Sequence, residues 1–140
     1  GVAAARRSNL GNTPGPLDAV LLDTAGELAA LYELGSIAFV GGSLVPSGGH
    51  NPIEPARFGV PVLTGPHVRN FAGVYAELLA AGAARVVRDA EDLRHWIERW
   101  LSDSAAAQRA GAAGRAQLAR HAGATARTVQ ALEPLLAPPC

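Results

Sequence analysis

Four short, continuously apolar runs, each followed by a stretch with helical spacing or a helix-breaking turn, limit this chain to few architectures. The runs lie at residues 19–22, 37–40, 60–63 (interrupted by Pro61) and 85–87. A strand that alternates apolar and polar residues has one face in water, whereas a continuous apolar run is buried on both faces. Between the runs, Leu28, Leu31, Tyr32 and Leu34 sit at helical spacing over 27–34, with Gly35 as the stop. Helices are also expected over 52–58, ended by Gly59, and over 71–81, ended by Gly82. A further helix opens at Asp89 or Ala90 and carries the stripe Leu93, Trp96, Ile97, Trp100, Leu101. A long Ala/Arg-rich helix covers roughly 105–132, weakened by Gly111, Gly114 and Gly123, before Pro134, Pro138 and Pro139. Strands alternating with helices predict an α/β fold, a parallel Rossmann-like sheet with helices on both faces. Residues 1–16, with Gly11, Pro14, Gly15 and Pro16, read as a loop-like start. Four strands are fewer than the five or six usual in a doubly wound domain. The expectation is therefore one domain over 1–140, truncated, with its first strands upstream.

Composition narrows the function. Twelve arginines, no lysine and 12 acidic residues give a net charge of zero, which argues against a nucleic-acid partner. Apolar residues are 49% of the chain and charged ones 17%, enough for a packed core, but with 5% aromatics that core must be aliphatic. No apolar run approaches the roughly 18 residues of a membrane-spanning helix. The start, Gly-Val-Ala-Ala-Ala-Arg-Arg, has its charges after the apolar residues, the reverse of a secretory signal. Cys140 stands alone, so neither an internal disulfide nor a cysteine zinc site is expected, and a reducing compartment is the default.

The chemistry concentrates in residues 39–56, Phe-Val-Gly-Gly-Ser-Leu-Val-Pro-Ser-Gly-Gly-His-Asn-Pro-Ile-Glu-Pro-Ala. A strand runs into glycines and then into a helix start marked by Asn51 as N-cap and Pro52 at the first helical position. Glycines let a ligand approach the backbone, and a helix start offers unpaired N–H groups and a partial positive charge to a phosphate. Each residue has an equally plain structural role. Asn51 and Glu54 match a capping box, His50 fits an ordinary loop position, and the glycines suit a tight turn. Neither G-x-x-x-x-G-K-[ST] nor a strict G-x-G-x-x-G is present.

Gly41-Gly42-Ser43 followed by Pro46-x-Gly48-Gly49-His50-Asn51-Pro52-x-Glu54-Pro55-Ala56 resembles the signature of the 3-deoxy-D-manno-octulosonic acid (Kdo) transferases. The resemblance extends to Asp23-Thr24-x-Gly26-Glu27-Leu28 upstream. Downstream it takes in Gly59-x-Pro61-Val62-Leu63-x-Gly65-Pro66-His67 and Asn70-Phe71, so that it covers about residues 18–101. It implies the later part of the C-terminal, donor-binding domain of a two-domain GT-B enzyme. Such an enzyme transfers Kdo from CMP-Kdo to a lipid A precursor at the cytoplasmic face of the inner membrane, with peripheral membrane association. The resemblance implies that Glu54 accepts hydrogen bonds from the ribose, and that Gly41, Gly42, Ser43, Gly48, Gly49, His50 and Asn51 line the phosphate and sugar. Thr24 and Gly26, in the 23–27 loop, would border the base and ribose. The catalytic base is expected on the other domain, so no catalytic residue is assigned here, and no cofactor is implied. Alternatives are another GT-B enzyme, such as a UDP-sugar transferase or 2-epimerase, and a nucleotide-binding domain without catalysis.

Other residues carry weaker signals. His67 follows a strand-end turn and could reach the donor sugar or be a turn histidine. His95 and His121 have no partner at metal-ligand spacing, so no metal is expected. From Arg94 to Arg127 six arginines face two acids, a face that suits anionic lipid or plain solvent. Trp96 and Trp100, four residues apart, suit a core or an interface better than a sugar platform.

Overall fold

The computed structural model describes residues 1–12, 15–121, 123 and 128–133. The chain divides into two compact units, Gly1–Gly35 and Ser36–Cys140.

In the first unit, strands β1 (Ala4–Arg6) and β2 (Ala19–Leu21) pair in parallel, with Ala4 opposite Ala19 and Arg6 opposite Leu21. A parallel return needs a connection of about a dozen residues or more. Its first half is a 3-10 helix, Arg7–Asn12. The segment expected to be a loop thus carries a strand and a helical turn. An Ala-Ala-Arg strand has no apolar pattern by which a reader could find it. Helix α1 (Leu28–Leu31) continues as a 3-10 turn over Tyr32–Leu34 and stops at Gly35. None of the described residues of this unit is buried, and Val20 and Leu21 are 50% and 58% exposed. The expected burial of the 19–22 strand is therefore corrected: a two-stranded ribbon beside one turn of helix covers little surface.

The second unit holds a parallel three-stranded sheet in the order β3 (Ala38–Val40), β4 (Val62–Thr64), β5 (Ala84–Val86). The strands thus form two hydrogen-bonded sheets of two and three strands, not the single four-stranded sheet expected. Pro61 has no N–H to give the ladder, so β4 begins after it, while the Pro61 carbonyl still accepts from the Ala38 N–H at 3.0 Å. Helix α2 (Ile53–Arg57) connects β3 to β4, and α3 (Ala72–Ala80) connects β4 to β5. Strand periodicity sends Val62 into one core, with Val40, Ala56, Tyr75, Leu78 and Ala84, and Leu63 into another, with Val87, Trp100 and Ala107. A core lies on each face of the sheet, as the continuous apolar runs predict, although Phe39 and Val86 on the outer strands stay exposed.

Helices α4 (Ala90–Ser102) and α5 (Ser104–Ala119) each begin on an aspartate cap. Asp89 accepts from the Asp92 N–H at 2.8 Å and Asp103 from the Ala106 N–H at 2.9 Å. The expected helix over 105–132 is not continuous: α5 ends at Ala119, and residues 128–133 are helical again. Ala122, residues 124–127 and the closing prolines lie outside the described residues. Gly111 and Gly114, expected to weaken the helix, are its contact points. A Cβ on Gly111 would fall on the Gly59 carbonyl, and one on Gly114 would come within 3.1 Å of the Ala83 Cβ. Among the described residues, no helix is long and apolar enough to cross a membrane.

Candidate functional site

At the carboxyl end of β3 the chain enters the glycine-rich segment and closes it on itself. The Gly49 N–H donates to the Gly42 carbonyl at 2.9 Å and the His50 N–H to the Gly41 carbonyl at 3.2 Å. The loop is then laced to the segment that leaves β4. The His67 N–H donates to the Ser43 carbonyl at 2.9 Å and the Asn70 N–H to the Gly48 carbonyl at 3.0 Å. The Asn70 side-chain amide donates to the Gly49 carbonyl at 3.3 Å, and the Tyr75 hydroxyl to the His50 carbonyl at 3.2 Å. Two neighbouring parallel strands thus end in one hydrogen-bonded platform, at the sheet edge where ligands bind in open α/β folds.

Ser43 is completely buried. Its hydroxyl donates to the Val40 carbonyl at 2.7 Å and accepts from the Gly65 N–H at 2.8 Å, so it clasps the end of β3 to the end of β4. A ligand contact through this hydroxyl is ruled out by its burial. Gly48 and Gly49 are also buried, with φ of +96° and +75°. A Cβ on Gly48 would lie 2.6 Å from the Asn70 amide, and one on Gly49 would lie 3.1 Å from the His67 carbonyl oxygen. These two glycines serve the chain's own close packing. Gly41 is different: its φ is not positive and a Cβ there would meet nothing within 4 Å. The open backbone sought in the sequence is at Gly41, beside the exposed ring of His50, which lies against Gly42.

The helix start differs from the expected capping pattern in two ways, the first being that α2 begins at Ile53 with Pro52, not Asn51, at the cap position. The Asn51 carboxamide oxygen accepts from the Ile53 N–H at 3.0 Å. Glu54, however, accepts from the Asn51 side-chain amide at 3.2 Å, not from its backbone. Pro52 has no N–H and that of Ile53 is taken, so this five-residue helix offers few donors to a phosphate. Glu54 is half-buried, with its carboxylate braced on one side by Asn51.

In the first unit, the loop after β2 forms its own polar cluster. Asp23 accepts from the Ser8 hydroxyl at 2.8 Å and from the Ser8 N–H at 3.0 Å, and these bonds hold its carboxyl below the usual carboxylate range. Glu27 accepts from the Thr24 hydroxyl at 2.5 Å and from Arg7 at 3.1 Å. A Cβ on Gly26 would meet nothing within 4 Å. Sequence reasoning missed Arg7 and Ser8, since they stood in an expected loop. Arg7 is the cation that the Asp23–Glu27 stretch itself lacks. Asn70 and Tyr75 were missed as platform residues, because only the fold brings them under the loop.

The histidines separate. His67 is exposed beside the platform. His95 meets Trp96 edge-on at 6.1 Å. His121 is a tie between helices: its Nε2 lies 2.6 Å from the Glu77 carboxylate, which also accepts from Gln117 at 3.1 Å. Gln117 first, and then His121, hold the Glu77 carboxyl below its ordinary range.

A parallel sheet covered on both faces, with its polar loops gathered at the carboxyl ends of the strands, is a Rossmann-like unit of the nucleotide-binding class. No family model matches the chain. It is 44% identical over 95% of its length to a 3-deoxy-D-manno-octulosonic acid transferase of Bordetella pertussis, and 41% identical over 84% to the one of Haemophilus influenzae. It spans 31% and 28% of these relatives' own lengths. The crystal structure of the C-terminal CMP-Kdo binding domain of WaaA from Acinetobacter baumannii superimposes with a TM-score of 0.76 at 32% identity, over 84% of this chain and 61% of that one. The fold is of the GT-B type. The chain is related to the Kdo transferases and matches part of the C-terminal domain of one of them.

Proposed function

We propose that the chain is the donor-binding part of a glycosyltransferase that moves Kdo from CMP-Kdo to a lipid A precursor in lipopolysaccharide biosynthesis. The reading is carried by its kinship with the solved CMP-Kdo binding domain from Acinetobacter, which takes in the glycine-rich platform. In this proposal Glu54, braced by Asn51, accepts hydrogen bonds from the ribose hydroxyls. Gly41, Gly42 and His50 border the phosphate and sugar, while the buried Gly48 and Gly49 hold the loop in shape. Gly41 is where a ligand comes closest to bare backbone. Ser43 acts only by holding the two strand ends together. Thr24 and Gly26 border the base and ribose, on a loop whose Glu27 holds Arg7.

The reaction is a displacement at the anomeric carbon. The acceptor hydroxyl attacks, a carboxylate base on the other domain takes its proton, and CMP leaves. The charge growing on the CMP phosphate is met by backbone dipoles of the loop and by cationic side chains from the rest of the enzyme, since the loop itself contains no arginine or lysine. The complete enzyme works at the cytoplasmic face of the inner membrane, as a peripheral protein that receives its lipid acceptor there.

Calorimetry with CMP and UMP on this chain tests the proposal. CMP is expected to bind and UMP to bind more weakly. Glu54→Gln should weaken CMP by about 1.5–3 kcal/mol, the range for a hydrogen bond to a charged group, with no change in fold, since Gln can still accept from Asn51. As a control, Asn51→Ala removes the Ile53 cap and should lower stability by roughly 0.5–2 kcal/mol. Equal binding of CMP and UMP, or an unchanged CMP affinity in Glu54→Gln, would refute the donor-site assignment.

A further inference from the structure

At the opposite, amino end of the second unit's strands, three arginines from three elements converge. Arg85 is on β5, Arg99 on α4 and Arg109 on α5, and all three line a cleft of about 280 Å³ with Trp96 and Trp100. The Arg85 and Arg99 guanidinium carbons each lie 5.3 Å from the centroid of the Trp96 ring. Stacking on an aromatic face fixes a guanidinium while leaving its N–H groups, which lie along its edge, free to donate outward. Arg85 is fixed further by a bond from Nη1 to the Ala84 carbonyl at 3.0 Å.

Among the described residues, no carboxylate lines this cleft. The nearby acids lie elsewhere: Asp92 pairs with Arg88, Glu98 with Arg94, Asp103 caps α5, and Glu91 lines a different cleft. Three like charges gathered on an apolar floor, with no counter-charge among the described residues, raise the local potential and favour an anion. A solvated arginine face would spread its charges along one helix, whereas here they come from a strand and two helices. The volume is below the roughly 300–1,000 Å³ of pockets that enclose drug-sized ligands. It admits a tetrahedral group with accompanying water, and arginine forks match phosphate oxygens two at a time.

We propose that the Arg85–Arg99–Arg109 cleft binds a phosphate group, in a role independent of the nucleotide-sugar reading. The chain's two tryptophans both line the cleft, so their fluorescence reports on it directly. One arm titrates inorganic phosphate against chloride at matched ionic strength. The other compares phosphatidylglycerol-containing vesicles with pure phosphatidylcholine vesicles. A saturable fluorescence change with phosphate supports a soluble phosphate as ligand, and a change with phosphatidylglycerol vesicles alone supports a lipid headgroup. In either case the Arg99→Gln/Arg109→Gln variant, at two exposed helix positions, should lose at least tenfold in apparent affinity. Arg99→Lys, which keeps the charge and loses the fork, should lose less, and it carries the test if the double variant fails to fold. A response no greater than that to chloride and phosphatidylcholine overturns the proposal. So does a response that survives these substitutions unchanged.

Discussion

A methyl group added at Gly41 touches nothing, whereas one added at Gly49 presses on the His67 carbonyl in a backbone conformation that L-residues rarely adopt. Two glycines of one loop therefore make opposite predictions. Gly49→Ala should destabilise the second unit by about 1–3 kcal/mol, the range for a non-glycine residue forced into the left-handed region. Gly41→Ala should leave the melting temperature unchanged or slightly raised, because it only restricts the unfolded chain. It should nevertheless weaken CMP by about 1.4 kcal/mol or more, a tenfold rise in Kd, if the nucleotide meets the backbone there. Thermal melts and calorimetry on both variants check this. Normal CMP affinity in a stable Gly41→Ala protein would move the contact elsewhere. Glu54 and Asn51 were legible in the sequence as a helix start, since capping is a local interaction. Ser43 was not legible as a clasp, because its partners, Val40 and Gly65, are 3 and 22 residues away and only the second reveals the role.

Among the elements, α5 shows best how a local rule can yield to tertiary contact. Glycine inside a helix costs roughly 1 kcal/mol relative to alanine, so the small residues of α5 suggested a weak helix. In the fold, Gly111 lets the helix backbone lie against the Gly59 carbonyl at the end of α2. Gly111→Ala should therefore destabilise by about 1–3 kcal/mol through overpacking, despite its better propensity. Gly73→Ala in α3, where an added Cβ meets nothing within 4 Å, should be neutral or stabilising by up to about 1 kcal/mol. Denaturant melts of the pair decide the matter, and equal effects would mean that α5 can shift without loss. The strands of the second unit were legible because a sheet with a core on each face demands continuous apolar runs. β1 was not, because three exposed residues carry no such demand.

For the whole molecule, the proportion of its relatives that the chain matches is decisive. It aligns with about a third of the Kdo transferases from Bordetella and Haemophilus. A donor site alone neither positions nor deprotonates an acceptor, and those effects supply much of the rate of a transfer reaction. The 140 residues by themselves should bind CMP without transferring Kdo, and turnover of CMP-Kdo with a lipid A precursor by the purified chain would contradict this. The sequence by itself determined the α/β class, the positions of the second unit's strands and of its helices up to α4, and the glycine-rich segment between β3 and α2 as the candidate site. All of these follow from local properties: periodicity, capping residues and where glycine and proline interrupt them. Only the tertiary structure decided that β2 pairs with a strand at residues 4–6, that Gly48 and Gly49 serve packing while Gly41 stays open, and that Arg85, Arg99 and Arg109 meet around Trp96. Those outcomes depend on which distant segments come within a few ångströms of each other, and no spacing along the chain encodes that distance.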